Sequence, residues 1–185
     1  MFDLTLFNKP SFSVSVAAMM LCILALSGSW LMIFQFLQGV SGLSALHAGL
    51  VMVPAALLQT AASLLVPRLS RWLAPTRLIS GGLVLAAGGL ALMLLIHADS
   101  NLALMVAASV LLGVGIMPMM ILGTDLVIGS APPEKTGAAA ATSETATELG
   151  MAMGIAVIGS VGATLYRSSM EQQLSGVLDS HQLAV

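Results

Sequence analysis

Five long apolar runs, separated by short polar breaks, constrain this chain more than any other feature. They cover residues 12–40, 49–66, 78–97, 102–128 and 138–166. Each is close to or above the roughly 20 residues that a helix needs to cross the hydrocarbon core of a bilayer. They are too long for barrel strands and lack the two-residue alternation such strands carry. Composition agrees. Charged residues make up 8% of the 185, hydrophobic residues 58%, and mean hydropathy is +1.02. A soluble domain carries about 25% charged residues, and so few charges could not coat a globule of this size. The expected fold is an all-α integral membrane domain of about five transmembrane helices over residues 1–166. A polar tail over residues 167–185 then leaves the membrane.

Several function classes drop out early. A net charge of -2 does not suit nucleic acid, which needs a basic surface. Cys22 is the single cysteine and sits inside an apolar run, where a buried thiol is expected. His47, His97 and His181 form no HExxH-like pair, so no metal site is expected. No G-x-S-x-G elbow, phosphate loop or cofactor motif appears, so neither an enzyme nor a cofactor is expected. The opening MFDLTLFNKP lacks the basic start of a signal peptide.

The breaks are short: Gly42-Leu43-Ser44, residues 67–77, residues 98–101 and residues 130–135. Short breaks predict antiparallel neighbours in a compact bundle. Basic residues set the orientation. Lys9, Arg68, Arg71, Arg77 and Lys135 fall on one side and only Arg167 on the other. The positive-inside rule puts the first side, and the N-terminus, in the cytoplasm and the tail outside. Trp72 and Tyr166 fall at the interfaces. Within the runs, Gly150 and Gly154 form a GxxxG pair that lets another helix approach closely.

The fifth run carries the sharpest chemical signal, ATSETATELG over residues 141–150. Glu144 and Glu148 are four apart and share one helix face. By helix rise, Glu148 lies about 6 Å and Glu144 about 12 Å from the middle of the run. An ionised carboxylate at that depth costs at least about 2.5 kcal/mol. No Lys or Arg lies inside any run to pair with it. A water-filled cavity or a bound proton remains, and both point to transport. The structural alternative is a carboxyl hydrogen-bonded to neighbouring Ser or Thr groups. Asp125, near the cytoplasmic end of the fourth run, either snorkels to water or meets a loop arginine such as Arg71, and a structural charge pair is the expected role. Gln35, Gln38 and Gln59 either line a polar path or join helices. Thirteen methionines, among them Met117, Met119, Met120, Met151 and Met153, read mainly as packing. Any that line a cavity would suit varied apolar ligands.

These residues bring a family into view. LTLFNKPSFSVSV, FLQGVSGLSALHAGLVMVPAAL, GVGIMPMM and APPEKTGAAAATSETATELGMAMGIAVIGS occur in this order. Together they resemble the C-terminal half of the drug:proton antiporters of the major facilitator superfamily, in the fourteen-helix (QacA/SmvA/EmrB-like) subfamily. The likeness runs from about Asp3 to Arg167. It implies a proton-coupled efflux transporter of lipophilic cationic drugs, such as quaternary ammonium compounds, in the bacterial inner (plasma) membrane. It also implies that Glu144 matches an acid of span thirteen tied to proton coupling and cation recognition. Glu148 falls where some relatives are acidic. One departure is PRLSRWLAPTR, which lacks the aspartate usual among the basic residues of that loop. A half of this fold holds six helices. Five here imply a fragment whose partners are the lipid bilayer, small cations, protons and a missing N-terminal half. The competing expectation is a truncated or accessory helical membrane protein with no transport activity of its own.

Overall fold

A computed structural model describes residues 7–97 and 102–182, with side chains followed through residue 168 except at residue 165. The break at residues 98–101, the first residues of the opening motif and the His181 side chain lie outside this description. Five helices are long and apolar enough to cross a membrane. They are α1 (Pro10–Gln35), α2 (Ala45–Leu69), α3 (Pro75–Met93), α4 (Leu102–Ser130) and α5 (Thr136–Gln182). No strand occurs among the described residues.

The helix ends follow local chemistry. Pro10 and Pro75 sit in the first turns of α1 and α3, where no amide partner is needed. Ser44 caps α2 by accepting from the His47 amide. α1 closes in a π-helical turn, Phe36–Val40, and Gly42 then takes φ +64 to reverse the chain. Only glycine adopts that conformation readily. Three expected boundaries move. The third run outlasts its helix, since residues 94–97 lie beyond Met93. Pro67 and Arg68 belong to α2 and Arg77 to α3, so the α2–α3 turn is only residues 70–74. Proline removes one hydrogen bond from α2, and the remaining ladder carries the helix through it. α5 continues past Tyr166 to Gln182. Its 47 residues rise about 70 Å, far beyond the hydrocarbon thickness.

Packing does not follow chain order. α4 is the hub: half of its apolar window is buried, against 11–33% in the other four helices. α3 runs antiparallel to it, with Gly82 against Gly115 and Pro118, and Gly89 against Ala108 and Leu112. α2 runs parallel to α4, with Met52 near Met105 and Gln59 against Gly113. α1 and α5 also pair in parallel, Gly150 beside Met20 and Gly154 beside Leu24. The helix that approaches the GxxxG pair is therefore α1 of the same chain. α1 and α2 scarcely touch, nor do α2 and α3, which corrects the simple picture of antiparallel neighbours. Loops fix only the helix ends, while small residues decide which faces approach.

The main core joins Phe12, Val16, Met19 and Cys22 of α1 to Leu112, Ile116 and Met119 of α4. Large apolar side chains point outward elsewhere, such as Leu57 of α2 and Val84 of α3. At one end, the Lys9 ammonium donates to the Ser130 carbonyl at 2.8 Å. That contact pins the start of α1 to the C-terminus of α4, where a cation meets the negative end of the helix dipole. The alternating helix directions bring Arg68, Arg71, Arg77 and Lys135 to the same end.

A Cβ on Gly115 or Gly154 would collide with backbone of the facing helix, whereas Gly49 has nothing within 4 Å. Gly115→Val and Gly154→Val should each destabilise the fold by about 1–3 kcal/mol. Gly49→Val should stay within about 0.5 kcal/mol. Unfolding in mixed micelles measures the difference.

Candidate functional site

α5 brings both acids to one cavity. Its sequence there is rich in Ala, Ser and Thr, which lets α1 and α4 lie close alongside. Glu144 and Glu148 line a cavity of about 360 Å³. α1 contributes Met19 and Ile23, α4 contributes Met120 and Thr124, and Met151 lies one turn beyond Glu148. Both glutamate side chains are exposed on this surface.

Neither carboxylate takes a hydrogen bond or ion pair from another side chain among the described residues. The neighbouring hydroxyls are committed elsewhere. Thr142 and Thr145 donate to carbonyls of their own helix, four residues back. Thr147 donates to the backbone carbonyl of Glu144 at 2.8 Å. Ser143 turns toward the Met19 sulfur at 3.8 Å, and Thr124 donates to the Met120 carbonyl. The acids are thus presented to the cavity rather than tied into the helix bundle. The walls around them combine the thioether and alkyl groups of Met19, Ile23, Met120 and Met151 with the hydroxyl-bearing Thr124, Ser143 and Thr147.

The other sequence candidates lie elsewhere. Asp125 and Arg71 are both exposed and do not pair. They sit on separate elements at the basic end, where water can solvate each. Gln35 and Gln38 are exposed at the far end of α1 and its π-helical turn. Gln59 fills the notch left by Gly113 in the α2–α4 seam, and its amide nitrogen is buried without a partner. None of the three glutamines lines the acid cavity. Sequence reasoning missed Met19, Ile23 and Thr124. Their signal was faint, because a stripe at helical spacing in an apolar run has no unique partner helix.

The sequence profile of the Major Facilitator Superfamily matches residues 4–155. The chain belongs to that superfamily. It is a multi-pass membrane protein with part of the superfamily fold. It is 38% identical to the "Multidrug efflux pump LfrA" of Mycolicibacterium smegmatis over 92% of this chain and 34% of LfrA. It is 30% identical to the "Multidrug resistance protein Stp" of Mycobacterium tuberculosis, over 94% of this chain and 32% of Stp. It is 29% identical to the "Methyl viologen resistance protein SmvA" of Salmonella typhimurium, over 100% of this chain and 37% of SmvA. The chain spans about a third of the length of these relatives.

Exposed, unpartnered acids contribute little to folding. Glu144→Gln and Glu148→Gln should each change stability by no more than about 0.5 kcal/mol. Thermal melting of purified protein in detergent checks this. A loss of several kcal/mol would show that the carboxylates hold the bundle together.

Proposed function

We propose that this chain is the C-terminal part of a proton-coupled exporter of lipophilic cationic compounds in a bacterial plasma membrane. The observation that carries the reading is the pair Glu144 and Glu148 in a cavity that Met19, Met120 and Met151 also line, with no cation among the described residues against either acid. Two carboxylates on one helix face repel, and an intramembrane acid calls for compensation. A bound cation supplies it, and so does a proton. The two occupants exclude one another at the same oxygens. Protons arriving from outside therefore displace the drug outward, which couples the two flows. Relatives named for multidrug efflux and for methyl viologen resistance support a cationic drug as the cargo.

The basic end of the bundle faces the cytoplasm in this reading, as the positive-inside rule directs. The acid cavity forms one wall of the transport path, and an N-terminal half supplies the other. The share of each relative that the chain covers supports that division, as does the order of motifs for the fourteen-helix subfamily. The polar stretch over 167–185 lies outside the membrane.

The test is Glu144→Gln in the full-length exporter, read by ethidium efflux from energised cells and by resistance. Efflux should fall at least about tenfold at unchanged protein abundance, since charge-assisted contacts to one buried cation are worth about 1.5–3 kcal/mol. Undiminished efflux would remove Glu144 from the coupling role.

A further inference from the structure

A second cavity continues the first. It has a volume of about 420 Å³ and lies between α1 and α5. Ile23 and Met151 line both, so the two form one path. The second section is apolar: Leu26, Trp30 and Phe34 of α1 face Ile155 of α5 across it. Its one hydroxyl, Ser27, is already engaged with the Leu24 and Met151 carbonyls at 3.2 Å each. Trp30 and Phe34 stack with ring centroids 5.5 Å apart. Because α1 and α5 run parallel, the path leads away from the acids toward the end opposite the arginines. Trp30 lies about 10 Å and Phe34 about 16 Å beyond Ile23 along the helix axis.

We infer that this groove is the tail subsite of the acid cavity. The site takes elongated cations, with a charged head at Glu144 and Glu148 and an alkyl or aryl tail between α1 and α5, ending on Trp30 and Phe34. The inference rests on the proposed function and adds to it the shape of the cargo. Charge complementarity selects the occupant. The only polar end of the path is anionic and lies within the apolar run, so it favours a cationic head over a zwitterionic or anionic lipid. The stacked aromatic pair at the other end offers a broad, rigid apolar surface, which holds tails of varied chemistry at small entropic cost.

The test is photolabelling of the full-length exporter in nanodiscs with alkyltrimethylammonium probes that carry a diazirine at the tail end. One probe is dodecyl and the other butyl, and labelled residues are mapped by mass spectrometry. The dodecyl probe should label Trp30, Phe34 or Ile155, and the butyl probe should label near Ile23 and Met151. Combining Glu144→Gln with Glu148→Gln should reduce groove labelling by about tenfold, the loss of one charge-assisted contact. Three results overturn the inference: labelling as strong on the outward faces at Leu57 and Val84, identical sites for both tail lengths, or groove labelling indifferent to the two glutamines. Ethidium efflux by the same variants separates the two ideas. Acid-dependent efflux with tail labels on the outward faces removes the tail subsite alone. Efflux indifferent to the acids removes the coupling role itself.

Discussion

Close approach of helix backbones at glycine is what the rest of this structure depends on. Lipid tails are as apolar as leucine, so burying apolar side chains between helices gains little in a bilayer. Contact density must supply the attraction. Gly82, Gly89 and Gly115 bring α3 onto α4, and Gly150 with Gly154 brings α5 onto α1. Those are the two most extensive seams of the bundle. The α2–α4 seam at Gly113 differs, because a glutamine fills the notch rather than a backbone.

The α1–α5 seam also builds the site. Gly150 follows Glu148 by two residues, so the contact that draws α5 against α1 fixes where the acids stand. Below the contact α1 and α5 open toward α4, and the acid cavity occupies that space. Beyond it the apolar groove runs along one side of the seam, while Gly28 stays against Ile158 and Gly162 against Met32. Packing glycine and cavity-lining acid therefore share one short stretch of α5, which explains why ATSETATELG carries so much of the chain's chemistry.

Much of this was legible beforehand. The five helices follow from apolar run length alone, because a bilayer leaves the backbone few ways to satisfy its hydrogen bonds. Glu144 and Glu148 stood out because an acid inside such a run is costly wherever it faces. Gln59 also stood out, yet its place in a helix seam could not be told from a place in a path, since both environments accept an amide. The Pro67 turn misled for a related reason. Proline marks a break in water, but inside a lipid-embedded helix one missing hydrogen bond does not end the ladder.

By itself the sequence determined that the chain crosses a membrane as helices, which end carries the basic residues, and that two acids lie within the fifth run. These are one-dimensional facts, set by composition and helix rise. Tertiary structure decided that α1 pairs with α5 in parallel and that α4 is the hub. It also decided that Met19, Ile23 and Met120 share a cavity with the acids, and that the neighbouring hydroxyls hydrogen-bond elsewhere. The physical reason is that nearly every face of these helices is apolar. Hydropathy cannot choose among them, and only the fit of glycine notches to facing backbones can.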